Sequence, residues 1–158
     1  MSSPPALIEV PFILHGEHST RPIKATDGAA AFDLCATDFS YLSMTQARAT
    51  VGTGLSIAIP EGYVGLVCSR SGLAAKHGVY VLNAPGIIDS DYRGEIKVIL
   101  AYQPLNYMWP ENTSNFVIDK GMRIAQLLIL PANSVGFVPA SSLSHTLRAD
   151  GGLGSTGV

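Results

Sequence analysis

The chain has little of what several large function classes require. It carries two cysteines, Cys35 and Cys68, in 158 residues. Both sit in strand-like stretches and nothing marks them as a pair, so they read as reduced thiols of an intracellular protein. A structural zinc site would need histidines, and the four present show no ligand spacing. Charged residues make up 14% of the chain, with a net charge of −2 and no Lys/Arg run. That balance argues against an electrostatic grip on nucleic acid. No apolar run reaches the roughly 20 residues of a membrane span. The opening stretch, Met1 to Val10, lacks the basic-then-apolar build of a signal peptide. The expectation is an intracellular protein, cytoplasmic or nuclear, with neither nucleic acid nor membrane as partner. The sequon Asn112-Thr113-Ser114 has no secretion signal beside it and is expected to be unused.

What is present is a core former. Apolar residues are 47% of the chain, ample for one packed domain of this length. Sixteen glycines and ten prolines punctuate it, leaving short segments with strand character. Leu55, Ile57 and Ile59 alternate with Ser56 and Ala58, the period of a half-buried strand. Val64 to Cys68, Val79 to Leu82, Glu95 to Tyr102 and Val135 to Val138 are further strand candidates. Ile124 to Leu130 is continuous enough to be buried on both faces. One segment predicts a helix, Ser71 to His77, with Ser71 able to cap and Gly78 placed just past the end. Many short strands with turns between them predict an all-β fold, a sandwich or a jelly-roll-like barrel, with one short helix.

Several stretches could carry chemistry, each with a plainer reading. Gly86 to Ile96 sets Asp89, Asp91, Tyr92 and Arg93 between apolar flanks, as a site or as a polar turn. Arg70, Ser71 and Gly72 open the short helix, where anions are favoured; a capped helix with a surface arginine is the alternative. Asp33 lies within the apolar run Ala29 to Ala36. It is either a costly buried carboxylate needing a partner or a strand residue facing solvent. Arg123 and Gln126 flank a buried run as a gatekeeping charge and an inward amide. Arg148 to Gly157 combines a cation, an acid, glycines, Ser155 and Thr156. It reads as a mobile glycine-rich tail or as a phosphate-binding one. It is not a Walker loop, because no lysine precedes the hydroxyl.

Taken together these stretches resemble the trimeric dUTP pyrophosphatases, the dUTPases. That family has five ordered motifs, and five matching stretches occur in order here. They run from Ala29 to Ala36; from Ser69 to Ala74 after the Pro60 to Gly65 turn; from Asn83 to Ile96; from Gly121 to Leu127; and from Arg148 to Gly157. The resemblance implies a jelly-roll-like β body over 1–147 and a mobile C-terminal arm over 148–158. It also implies a homotrimer, with the arm of one subunit closing over a site built by the others.

The same resemblance implies hydrolysis of dUTP to dUMP and pyrophosphate with Mg²⁺ as cofactor. Asp89 would activate the attacking water, and Asp91 would shape the turn. Asp33 would contact metal-bound water rather than the metal. Arg70, Ser71 and Gly72 would hold phosphates, and Gln126 would lie near the phosphates and the catalytic water. Asn83 would read uracil with the backbone of a hairpin that includes Gly86 and Ile88. Tyr92 would press on C2′ and leave no room for a 2′-hydroxyl. Arg148, Gly152, Leu153, Gly154, Ser155 and Thr156 would form the closing arm.

Three positions depart from the family pattern. Leu153 stands where a uracil-stacking Phe is usual, and Met122 where an Asp commonly precedes the motif arginine. The loop Asn106 to Asn115 is longer than usual. It reads as a tolerated insertion or as a partner surface carrying Tyr107 and Trp109. Two other functions remain beside the hydrolase: a dCTP deaminase relative, and a non-catalytic binding or signalling member of the fold.

Overall fold

The structure, a computed structural model, describes residues 7–103 and 115–152. Among the described residues, eleven strands and one helix follow in chain order: β1 (Phe12–Leu14), β2 (Phe32–Cys35), β3 (Ser40–Leu42), β4 (Arg48–Gly52), β5 (Leu55–Ile57), β6 (Tyr63–Cys68), α1 (Ser71–His77), β7 (Val79–Val81), β8 (Gly86–Ile88), β9 (Lys97–Tyr102), β10 (Phe116–Ile118) and β11 (Arg123–Pro131). All ladders are antiparallel. They form a four-stranded sheet in the order β2-β11-β6-β8, a three-stranded sheet β4-β9-β7, and the pairs β1-β5 and β3-β10. The layers pack in jelly-roll fashion, although hydrogen bonding does not close them into one barrel.

The two larger sheets bury facing sides. Leu34, Ala125, Leu127 and Val67 come from the first, and Val51, Val98, Leu100, Val79 and Val81 from the second. Leu42, Leu55, Ile57 and Ile118 complete the same cluster. The strand expected over Leu55 to Ile59 ends at Ile57 and is not half-buried: Ser56 is inside as well. Its hydroxyl is matched by a hydrogen bond with the His15 Nε2 at 2.9 Å, which offsets the cost of burying it.

The helix forms where expected, with one correction. Arg70 is its N-cap residue and Ser71 its first helical residue, and no side chain caps it. Gly78 ends it at φ +65°, and its N–H reaches the Ala74 and Leu73 carbonyls. A Cβ at Gly78 would overlap the Gln103 carbonyl, so the turn needs glycine on two counts.

Two other expectations fail for physical reasons. Val135 to Val138 pairs with nothing and forms no strand; Val135, Phe137 and Val138 are 72%, 99% and 85% exposed. A strand needs a ladder, and this segment leaves the body. The second half of β11 is not buried on both sides either. Leu128 and Ile129 are half-buried and Leu130 is exposed. The described residues cover the outer face of the four-stranded sheet only in part. Directly opposed residues share a face, so one outer row is Asp33, Gln126 and Cys68. The next is Leu128, Leu66 and Ile87, followed by Leu130 with Val64.

Both cysteines are free and half-buried. No helix among the described residues is long and apolar enough to cross a membrane. The loop Asn106 to Asn115, read as a tolerated insertion or a partner surface, lies outside the described residues apart from Asn115.

Candidate active site

The predicted site residues gather in two places on the four-stranded sheet. The first is built around Asp33 on β2, which is 8% exposed. Its reading as a solvent-facing strand residue is therefore corrected. The burial is compensated by charge. The Arg123 Nη1 donates to the Asp33 Oδ2 at 3.1 Å, and the Arg70 Nε lies 3.4 Å from the Asp33 Oδ1. That second contact is an ion pair but not a hydrogen bond, and the Arg70 Nε is a buried donor left unpartnered. The Arg70 Nη1 donates to the Arg123 carbonyl at 2.7 Å. Gln126 lies directly across from Asp33 on the same face. With Leu128 and Ala25, Ala29, Ala30 and Ala31, these two residues line a cleft of about 340 Å³.

Arg70 follows the end of β6, so the exposed Ser71 and Gly72 stand at the same end of the sheet. Nothing lies within 4 Å of where a Cβ on Gly72 would be. A larger cavity of about 550 Å³, between the N-terminal segment and the sheet's inner face, is lined mainly by apolar residues such as Phe12, Phe32 and Leu127. It contains none of the predicted site residues, so size is no guide to the chemistry here.

The second place is the opposite edge. Among the described residues, strand β8 pairs with β6 on one side only, and the other side of its backbone forms no ladder. The segment from Asn83 was expected to be a hairpin. It is instead a corner between sheets, since β7 pairs with β9 and β8 with β6. Gly86 is buried at this corner, and a Cβ on it would sit 3.2 Å from the Asn83 Nδ2. Beyond Ile88 the chain turns, with the Tyr92 N–H donating to the Asp89 carbonyl at 3.2 Å. Asp89 is exposed, and its carboxylate has no hydrogen bond or ion pair among the described residues. The Tyr92 hydroxyl donates to the Glu95 carbonyl at 3.0 Å. A Cβ on Gly94 would come within 2.6 Å of the Tyr92 Cζ, so the hydroxyl end of the ring packs against a glycine. Arg93 turns back on its own loop, donating to the Ser90 and Tyr92 carbonyls.

The two places do not meet within one chain. Asp89 lies one step beyond the Ile88–Gly65 pair, level with Val64. Cys68, the last residue of β6 before Arg70, is roughly 13 Å further along at ~3.3 Å per residue. Asp33 is three strands across from β8, another ~14 Å at ~4.8 Å per strand. Of the arm, only Arg148 to Gly152 is described. Arg148 donates from Nε to the Gly151 carbonyl at 2.9 Å within a local turn, and Gly152 ends the described chain. Leu153, Gly154, Ser155 and Thr156 lie outside the described residues.

Metal fit can be judged from the donors. No group of three or more His, Cys, Asp or Glu able to hold an ion exists among the described residues. Asp33 is already bracketed by two guanidiniums. Its oxygens keep lone pairs that can accept from a hydrated ion, so the donor set suits a metal brought by a ligand and not a protein cage.

The family model for dUTPase matches residues 17–157. A deoxyuridine 5′-triphosphate nucleotidohydrolase of Hydrogenobaculum sp. (strain Y04AAS1) is 47% identical over 142 residues, 90% of this chain and 93% of its own. The protein of the same name from Rickettsia felis is 44% identical over 138 residues, 87% of this chain and 88% of its own. Among solved structures, a Staphylococcus bacteriophage 80alpha dUTPase with dUpNHpp superposes with a TM-score of 0.83 at 25% identity, over 95% of this chain and 99% of that one. A dUTPase from phage phi11 of S. aureus that coordinates a structural Mg(II) ion has the same fold, with a TM-score of 0.76 at 24% identity, over 85% of this chain and 98% of that one. From these matches and the ordered motifs, the chain belongs to the dUTPase family.

Proposed function

We propose that this chain hydrolyses dUTP to dUMP and pyrophosphate, in a homotrimer whose sites are shared between subunits. The observation that carries the reading is the separation just described. A buried carboxylate with two arginines at one end of the sheet could hold phosphates, while an unpartnered carboxylate waits at the other edge. One copy's Asp89 edge must meet another copy's Arg70 end. The partly covered outer face with Leu128, Leu66, Ile87, Leu130 and Val64 supports such association, since apolar faces seek cover.

Asp89 orients a water and accepts its proton. The water oxygen bonds to the α-phosphorus, the bond from that phosphorus to the bridging oxygen breaks, and pyrophosphate leaves with the electron pair. Arg70, Ser71 and Gly72 hold the phosphates, with charge-assisted bonds from Arg70 strongest, and Gln126 lies near the phosphates and the catalytic water. Asp33 would hold a magnesium ion bound with the triphosphate through the ion's water, and the ion would offset the triphosphate's charge. Asn83 and the edge of β8, at Gly86 and Ile88, read uracil through backbone groups. Tyr92 excludes a 2′-hydroxyl. Residues 1–147 act as the body and 148–158 as the arm, with Arg148, Gly152, Leu153, Gly154, Ser155 and Thr156 closing over the nucleotide.

The test measures pyrophosphate release from dUTP, dCTP, dTTP and UTP with Mg²⁺. Release from dUTP alone, lost in Asp89→Asn, is the expected result. Ammonia from dCTP would point to the deaminase relative, and no turnover of any nucleotide to a binding member of the fold; either would overturn the proposal.

A further inference from the structure

Arg123 has an odd place in the sequence. It is three residues before Gln126, and along a regular strand that odd interval sends two side chains to opposite faces. The structure does the reverse. Arg123 pairs with Cys35 and Ala125 with Leu34, so β11 spends one extra residue, Ile124, against β2. This bulge returns Arg123 to the face that carries Asp33 and Gln126. Bulges re-aim side chains in this way. Ile124 itself is 1% exposed, which anchors the bulge in the core.

Once re-aimed, Arg123 makes two contacts with different parts of itself. Its side chain donates to the Asp33 Oδ2 at 3.1 Å, and its carbonyl accepts from the Arg70 Nη1 at 2.7 Å. Asp33 stands between two cations. Remove one, and the buried carboxylate has only Arg70 to satisfy it. The Arg70 Nε, already 3.4 Å away and without a hydrogen bond, would then swing onto Asp33. A guanidinium engaged with a carboxylate is less available to a phosphate.

We propose that Arg123 is a positioning residue. By neutralising Asp33 through its side chain, and by holding the Arg70 Nη1 on its carbonyl, it keeps the Arg70 guanidinium presented to the triphosphate. This rests on the reading of Arg70 as a phosphate ligand. Arg123 need not touch the nucleotide: its role is to decide how much of Arg70 is left for the substrate. The carbonyl contact survives any side-chain change, so substitution isolates the electrostatic half.

The test is steady-state pyrophosphate release by the full-length protein, with wild type run first. If wild type releases none from dUTP, the underlying reading fails, whatever Arg123 does. With wild type active, Arg123→Met is expected to raise KM for dUTP about tenfold, the size of one charge-assisted hydrogen bond. The same variant should change kcat less than about threefold, since it removes ground-state and transition-state binding alike. Arg123→Lys, which keeps the charge, should recover most of the loss. A KM within about twofold of wild type in folded Arg123→Met, or a fall confined to kcat, overturns the proposal. If Arg123→Met fails to fold, the Arg123→Lys variant decides: a KM no better than that of Arg123→Gln overturns it.

Discussion

The two edges of the four-stranded sheet are built on opposite principles. At the β2 edge the functional groups are already engaged. Asp33 is buried, paired with Arg70 and Arg123, and fixed across from Gln126. At the β8 edge they are left open. Among the described residues, Asp89 is exposed with no partner, and the outer side of the β8 backbone forms no ladder. A phosphate-holding end can be assembled in advance, because arginines and carboxylates satisfy each other until an anion arrives. A water-activating carboxylate gains nothing from a resident cation, which would hold it as an acceptor for the wrong donor. Under the proposed function, this difference gives one chain two complementary half-sites.

Substitutions at the two edges should therefore fail in different parameters. The largest effect is expected from Asp89→Asn, a fall in kcat of about 10²–10⁴ with KM for dUTP nearly unchanged, as general-base loss predicts. Arg70→Ala should instead act chiefly on KM, about 10- to 100-fold, from a lost charge-assisted contact. Steady-state kinetics of the two variants check this. If both struck kcat alone, the division of labour between the edges would be wrong.

Gly94→Ala sharpens the β8 side. The added methyl would displace the Tyr92 ring from its seat, and the expected outcome is a drop of about tenfold in the dUTP-over-UTP ratio of kcat/KM. Competition assays with both nucleotides read it directly, and an unchanged ratio would remove Tyr92 as the 2′ sensor. Leu153→Phe carries the smallest effect. An aromatic ring stacked on uracil is worth about 1–3 kcal/mol in comparable systems, so KM should fall several-fold at most. Unchanged or weaker kinetics would count against a stacking role for that position.

Much of this was legible in the residues and some was not. The helix from Ser71 to His77 was readable because its end is punctuated by Gly78. The strand character of β6, β9 and β11 was readable from β-branched and apolar runs. Asp33 as a paired carboxylate was readable only as one of two options, since its partners lie 37 and 90 residues away along the chain. Arg123 looked like a strand-flanking charge because period-2 reasoning puts it opposite Gln126, and the bulge that reverses this leaves no local mark. Val135 to Val138 has strand residues but no strand, because propensity supplies no ladder. The Asn83 corner looked like a hairpin because turn residues do not say which sheet the next strand joins.

The claim that the two edges meet only between subunits has a direct test. Asp89→Asn and Arg70→Ala chains, carrying different affinity tags, are co-expressed and purified through both tags, and pyrophosphate release from dUTP is measured. With dUTP held well below the wild-type KM, each variant alone should keep at most about a tenth of wild-type activity. In a cyclic trimer holding both, one of the three interfaces joins an intact Arg70 end to an intact Asp89 edge. The mixed trimers should therefore regain about one third of wild-type activity, by that same ring count. Activity no greater than that of the two parent variants would contradict a shared site.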